Sequence, residues 1–313
     1  MLLLAIVLLM LAGTLLAAYI CFRMAFYAPP RKPKPEGTIE LPEGEAYEPF
    51  YPAMEGWVRA MRAAEQEHFQ IRSFDGLTLY ATFYEYAPGA PIELMLHGYR
   101  GSAERDLSGG LQRCFAVGRS ALIVDQRCCG RSEGNVITFG IREKRDALSW
   151  LAFMQTQWPD RKIILTGISM GAATAVMAAG EPLPENVIGV LADCGYNSPK
   201  DIMCCVMKTM GLPPKLCYPF ARLGAKLFGG FDPEADSPEA AAKRCRVPVI
   251  FYHGEADDYV PCWMSRRVYD ACASRKQLVT VPGAGHCLSY GVEPERYLET
   301  LREFFGPEAS AKK

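Results

Sequence analysis

Lys162-Ile163-Ile164-Leu165-Thr166-Gly167-Ile168-Ser169-Met170-Gly171-Ala172-Ala173-Thr174-Ala175 is the stretch on which the reading of this sequence turns. Its apolar start, Ile163–Thr166, suits a strand buried on both faces. The chain then passes through Gly167-x-Ser169-x-Gly171 into small residues that can form a helix packed closely on a sheet. A serine at a sharp strand-to-helix turn takes a strained backbone conformation that exposes its hydroxyl, and glycines two residues to either side remove side chains that would clash. The first helical amide, on Met170, can then donate to an oxyanion.

The same five-residue spacing recurs at Gly130-Arg131-Ser132-Glu133-Gly134 and acts as a control. There the chain continues into Asn135-Val136-Ile137, with no small-residue helix, so Ser132 reads as a turn residue. The flanking strand and helix, not the five-residue pattern, select Ser169.

Further polar residues stand at the ends of other apolar runs. His97-Gly98-Tyr99-Arg100-Gly101 follows Ile92–Leu96, and its glycine-bearing turn can present a second amide, that of Tyr99, to a developing oxyanion. His97 itself reads as a turn-holding residue, with a catalytic base as the alternative. His253-Gly254-Glu255-Ala256-Asp257-Asp258 follows Val247–Tyr252 and offers a carboxylate that could orient a histidine. Asp257 is the favoured acid; Asp258, and Asp193 after Val187–Leu191, are the alternatives. His286 follows Gln277–Val281 and lies 29 residues beyond Asp257, enough for one helix and one strand. The chain order Ser169, Asp257, His286 is the order expected of three groups at successive strand ends. In that arrangement His286 takes the serine proton and Asp257 fixes the imidazole tautomer. His68 lies in an early strand and has no assigned role.

Around these residues the chain alternates strand-like and helical segments. His68–Phe74 and Leu77–Tyr86 flank Asp75-Gly76, a strong hairpin signal. Helical patterns cover Phe139–Gln157, Met170–Ala179, Cys262–Ala273 and Pro294–Phe305. The expectation is an α/β protein with a doubly wound, mostly parallel, eight-stranded sheet and helices on both faces, whose ligand site lies at the carboxyl ends of the strands. The segment 194–246 carries two apolar helical stretches, rich in methionine, that predict a small helical lid over Ser169; completion of the core is the alternative.

The N-terminus adds a different feature. Residues 1–22 carry no charged side chain, and about 20 apolar residues span a bilayer as a helix. No basic residue precedes the run, and Ala17-Ala18-Tyr19-Ile20-Cys21 is a poor cleavage site, so a retained transmembrane anchor is favoured over a signal peptide or a buried helix. Arg23, Arg31, Lys32 and Lys34 follow it, which by the positive-inside rule keeps the catalytic part cytoplasmic; a secreted or extracytoplasmic location is the alternative. The prolines from 29 to 53 suggest an extended tether, giving a division into anchor 1–22, tether 23–64, main domain 65–306 and tail 307–313. The formal net charge of −1 over 313 residues argues against a nucleic-acid partner. The 12 cysteines show no CxxC or Cys/His spacing that suggests zinc and read as reduced core thiols.

With His97-Gly98, Asp125-Gln126-Arg127 leading to Gly130-x-Ser132-x-Gly134, the Ser169 turn, His253-Gly254-x-x-Asp257-x-x-Val260-Pro261 and Gly285-His286 in hand, the sequence resembles the α/β-hydrolases of the serine-esterase and peptidase-like branch over residues 65–306. It is especially similar to bacterial hydrolases with one N-terminal membrane segment. The resemblance implies an oxyanion hole at Tyr99 and Met170, and the loop after the fourth strand accounts for Ser132. Ala172 replaces a further glycine of the peptidase pattern and no large propeller precedes the domain, which makes oligopeptidase activity less expected. The expected function is hydrolysis of carboxylic esters of hydrophobic acyl groups, with no metal or organic cofactor needed. An acyl-thioesterase, a lipase or a serine peptidase would use the same residues, and an inactive tethered binding module is the alternative of another class. The expected partners are a small-molecule acyl ester and the membrane.

Overall fold

The computed structural model describes residues 1–29, 35 and 37–306. Arg31, Lys32 and Lys34 of the basic cluster and the expected tail 307–313 lie outside the described residues. In chain order the elements are α1 (Leu2–Ala25), a 3-10 turn at Glu45–Phe50, α2 (Tyr51–Ala63), β1 (Glu67–Arg72), β2 (Thr78–Tyr84), β3 (Ile92–Leu96), α3 (Ala103–Ala116), β4 (Ser120–Asp125) and α4 (Glu143–Gln157). They continue through β5 (Ile163–Ile168), α5 (Met170–Ala179), β6 (Val187–Asp193), α6 (Pro199–Thr209), α7 (Pro214–Phe228), α8 (Pro238–Ala242), β7 (Val249–Gly254), α9 (Trp263–Ala271), β8 (Lys276–Val281), α10 (Ser289–Val292) and α11 (Pro294–Phe305).

The strands form one eight-stranded sheet in the order β1-β2-β4-β3-β5-β6-β7-β8. Pairing is antiparallel between β1 and β2 and between β2 and β4, and parallel from β4 through β8. The period-two alternation of side chains splits each apolar run between two cores. In β3, Ile92, Leu94 and Leu96 face α4 and α5, while Met95 faces α2 and α3. Ile164 of β5 likewise turns toward Tyr297, Leu301 and Phe304 of α11. The chain passes from β3 to β4 on one side and returns as β5 on the other, so the crevice at the carboxyl ends of β3 and β5 is the topological switch point where such sheets bind ligands.

Two sequence expectations are corrected. The helix predicted from Phe139 starts only at Glu143. Phe139 and Gly140 take φ of +53° and +91°, and the Glu143 carboxylate accepts hydrogen bonds from the Thr138 amide, the Thr138 hydroxyl and the Gly140 amide at 2.6–2.8 Å. A left-handed pair cannot continue a right-handed helix. The second correction concerns the tether. Residues 45–63 are helical and packed on the domain, not extended. Met54, Trp57, Val58 and Met61 follow helical spacing, and Pro52 sits in the first turn, where a proline starts a helix instead of breaking one.

The segment 194–246 is helical, as expected. Its α6 and α7 bury Ile202, Met203 and Tyr218 against Met170, Phe139 and Tyr196 beyond the strand ends. Helix α7 also packs on the last turns of α1. Gly224 approaches so closely that a Cβ there would run into the Ala18 carbonyl, and the rings of Tyr19 and Phe228 meet edge to face at 5.2 Å. Most of α1 before this contact is exposed, a 24-residue apolar helix long enough to cross a membrane.

Candidate active site

Ser169 closes β5 and opens α5. Its φ and ψ of 53° and −120° lie where a non-glycine side chain is strained. A Cβ on Gly167 would collide with the backbone of Gly171, and one on Gly171 with the Leu96 carbonyl of β3. Both glycines are therefore needed for helix α5 to start this close to the sheet. The Ser169 amide donates to Asp193 O at 2.9 Å, which ties the turn to the end of β6.

Three side chains from separate strand ends meet here. His286 Nε2 lies 3.0 Å from Ser169 Oγ, and its Nδ1 lies 2.7 Å from Asp257 Oδ2. The other Asp257 oxygen, Oδ1, accepts from the amides of Tyr259 and Val260 at 3.0 and 2.8 Å. His253 supports the same loop, with Nε2 donating to Val260 O at 2.7 Å and standing 3.3 Å from Asp257 Oδ2. Burial works against the Asp257 charge, but hydrogen bonds from His253, His286 and the Val260 amide outweigh it and hold the carboxyl at about 2. Burial also disfavours a charged His286, yet Cys194 and Asp257 raise its pKa well above the usual histidine value. Cys194 is itself kept a neutral thiol by burial, so the Asp257 carboxylate is the neighbour that counts.

The alternatives fall elsewhere. Asp193 is buried and accepts from Ser289 Oγ and Tyr297 Oη, both at 3.0 Å, and Asp258 is exposed. Ser132 is committed at both ends, donating to Asp125 O and accepting from the Tyr80 amide. His97 holds its turn, donating from Nδ1 to Gly98 O and accepting the Gln126 amide at Nε2. The His68 Nδ1 lies 3.2 Å from Thr82 Oγ1, across the β1–β2 pair.

The loop carrying Tyr99 runs beside Ser169: a Cβ on Gly98 would lie 3.6 Å from Ser169 Cβ. Asp106 holds this loop by accepting the Gly98 amide at 3.0 Å. The Tyr99 ring stacks on Phe139 at 5.0 Å, and its hydroxyl donates to Ala25 O at 2.8 Å. Arg100 donates to Met24 O and Tyr27 O at 3.0 and 2.9 Å. The end of the apolar N-terminal helix is thus bonded to the loop beside the serine. Met170 is the first residue of α5, directly after Ser169.

Ser169 and His286 face a cavity of about 350 Å³. Its walls include Pro42, Tyr47, Met54 and Trp57 from the N-terminal segment, with Tyr259 and Tyr290. No residue of 194–246 lines it, so α6 and α7 are not the wall of this cavity, contrary to the lid expected over Ser169. Sequence reasoning missed Tyr47, Met54 and Trp57 because the surrounding prolines masked their helical spacing. On the floor, Arg113 pairs with the fully buried Glu93, which also takes Arg119 and the Thr166 hydroxyl. Burial opposes the Glu93 charge, but the two guanidinium groups hold its carboxyl at about 2.

Comparison with known proteins bears on this arrangement. The alpha/beta hydrolase family matches residues 94–300. The Bacillus subtilis protein YqkD, itself uncharacterised, is 30% identical over 190 residues, which is 60% of this chain and 62% of YqkD. The chain thus spans somewhat under two thirds of that relative. The uncharacterised Mycobacterium tuberculosis protein Rv2307c is 26% identical over 96% of this chain and 92% of its own, and Schizosaccharomyces pombe bem46 is 24% identical over 77% and 76%. Among solved structures, a Pyrococcus furiosus esterase superposes with a TM-score of 0.66 at 20% identity, over 90% of this chain and 97% of that one. A Pyrococcus horikoshii acylaminoacyl peptidase gives 0.57 at 17%, over 79% and 42%. At these identities the two structures share the fold with this chain.

Proposed function

The chain belongs to the alpha/beta hydrolase family, and from that premise we propose that it is a membrane-anchored serine hydrolase that cleaves carboxylic esters of hydrophobic acyl groups through an acyl-Ser169 intermediate. The observation that carries this reading is the hydrogen-bonded chain Ser169–His286–Asp257 opening into the cavity at the switch point. Ser169 Oγ attacks the ester carbonyl while His286 Nε2 takes its proton. Asp257 keeps the remaining imidazole proton on Nδ1 and stabilises the cation that forms. The amides of Tyr99 and Met170 face the tetrahedral oxyanion; removal of one such donor costs about 10²–10³-fold in rate in comparable sites. His286 then protonates the departing alcohol, and water, activated by the same imidazole, releases the acid. Met54, Trp57 and Tyr47 give the cavity an apolar side, and the charges of Arg105 and Arg113 in its lining are already paired with Asp106 and Glu93, which favours an acyl chain over a charged substrate.

Anchoring is supported by α1, by the basic residues that follow it and by the exposed apolar flank of α7, with Leu216 63%, Leu227 54% and Phe228 41% exposed. Arg23 and the basic residues up to Lys34 favour a cytoplasmic catalytic domain. The reaction is tested with a fluorophosphonate probe on the full chain. Labelling should be strong in the parent and lost in Ser169→Ala. A folded parent that takes no label refutes the proposal, and labelling that persists in Ser169→Ala moves the nucleophile elsewhere.

A further inference from the structure

Two cysteines flank the histidine of this site and take no part in the proposed reaction. Cys194 directly follows β6, and Cys287 directly follows His286. Both are non-glycine residues in the left-handed region, with φ of 49° and 59°. Such conformations persist where the surroundings over-determine them. Cys194 is tied by its amide to Tyr252 O at 2.9 Å, the same strand end that leads to Asp257. The two sulfurs lie 3.3 Å apart, and a ligand atom of each, with a ring nitrogen of His286, falls within 4.8 Å of the others. Cys194 is buried, whereas Cys287 lines the cavity and is reached through it.

We propose that Cys194, Cys287 and His286 form a binding site for a thiophilic divalent cation, zinc above all, and that the bound ion withdraws His286 from Ser169. Binding as such stands on the cluster alone; the inhibitory consequence rests on the serine-hydrolase reading. Zinc takes thiolate sulfur at about 2.3 Å and imidazole nitrogen at about 2.0 Å in tetrahedral geometry, which sets ligand atoms roughly 3.4–3.8 Å apart. To meet this the sulfurs need only separate by a few tenths of an ångström, while the imidazole nitrogen, within 4.8 Å of both, closes on them by up to about 1 Å through a small ring movement. Each thiol gives up its proton on binding, so two protons leave, and two thiolates neutralise the ion inside the protein. Asp257 already holds the Nδ1 proton of His286, which leaves Nε2 as the ligating lone pair. A carboxylate behind a metal-bound histidine is the usual arrangement that orients such a ligand. The nitrogen given to the metal is the one that faces the serine, so metal binding and proton transfer exclude each other. The fourth position opens to the cavity and is left to water.

The test uses the full chain in detergent, reduced with a phosphine, and zinc chloride as the probe. One zinc should bind per chain by calorimetry, and zinc should slow fluorophosphonate labelling at least about tenfold, reversibly with a chelator. The Cys194→Ser, Cys287→Ser double variant should lose at least about tenfold in zinc affinity, and its labelling should no longer respond to zinc. Should that variant fail to fold, the parent alone suffices: zinc should protect Cys287 from alkylation, read by mass spectrometry, and leave Cys262 reactive. Unchanged affinity in the double variant, or zinc binding that leaves Cys287 alkylated, overturns the proposal. Zinc binding with Cys287 protected in a chain that takes no fluorophosphonate label would retain the metal site and refute the hydrolase reading instead.

Discussion

Asp257 and Asp193 stand at neighbouring strand ends, and the difference between them lies in what their oxygens meet. Asp193 spends both on hydroxyl donors, Ser289 and Tyr297, whereas Asp257 turns one oxygen to two loop amides and the other to His286. Asp257→Asn should therefore lower turnover by about 10⁴-fold, as loss of the correct imidazole tautomer does elsewhere, while Asp193→Asn stays near the parent. The pH profile carries a second signature. His286 must be neutral to accept the serine proton, and its pKa is raised, so the rate falls as pH drops through a value above the ordinary histidine range. Removing the Asp257 anion lowers that pKa, and the acid limb should move to lower pH. Labelling rates measured from pH 5 to 9 check both; a limb that stays in place in Asp257→Asn, or a collapse in Asp193→Asn, reverses the assignment. Ser169 and Ser132 teach the same lesson at identical local spacing: one hydroxyl faces a cavity, and the other is consumed by Asp125 and Tyr80.

Among the elements, α2 changes the picture most. Trp57 lies on Gly109 of α3, where a Cβ would strike the indole, and its ring stands 5.9 Å from that of Tyr290. The N-terminal segment thus supplies the cavity wall that a lid at 194–246 was expected to supply. Trp57→Ala opens space next to Ser169, so in a series of p-nitrophenyl esters the preferred acyl chain should lengthen. An unchanged chain-length optimum would show that Trp57 does not bound the acyl chain. Helix α7 serves a different purpose, meeting α1 through Gly224 against Ala18 and Phe22, and α6 packs beside α7. Their apolar residues were legible in the sequence, but which surface they would cover was not, because helical periodicity marks a buried face without naming its partner.

For the whole molecule, the placement of α7 on α1 bears on the proposed membrane anchoring. A helix of 24 residues is about 36 Å long, and a hydrocarbon core is about 30 Å thick. Ala18, Tyr19 and Phe22 then lie in the final turns of a span that begins at residue 2, and α7 meets the chain at that level. On the proposed anchoring, its exposed Leu216 and Leu227 would dip into the bilayer surface. In proteoliposomes, p-benzoylphenylalanine in place of Leu227 should crosslink to phospholipid, read as a mass increase, and the same residue in place of Glu303 should not. No lipid adduct at 227 refutes a membrane-facing α7, and protease protection in intact cells decides which side the domain occupies; a C-terminal domain cleaved from outside rules out the cytoplasmic side.

The sequence alone determined the class of sheet and the chain order of the candidate site residues. Buried parallel strands are short apolar runs, and a strained serine turn demands glycine at fixed offsets, so the strands, the Gly167-x-Ser169-x-Gly171 turn and the candidate His286 could be read from local chemistry, whereas the preference for Asp257 over Asp258 and Asp193 needed the hydrogen bonds of the folded chain. The basic residues after α1 were equally plain. Tertiary structure alone decided that residues 45–63 fold back as a cavity wall, that Tyr99 and Arg100 bond to the end of α1, and that Cys194 and Cys287 meet beside His286. The two cysteines are separated by 93 positions, far outside any spacing that marks a metal site in sequence. Local propensity depends on neighbours in the chain, whereas these contacts depend on how the sheet brings distant strand ends to one edge.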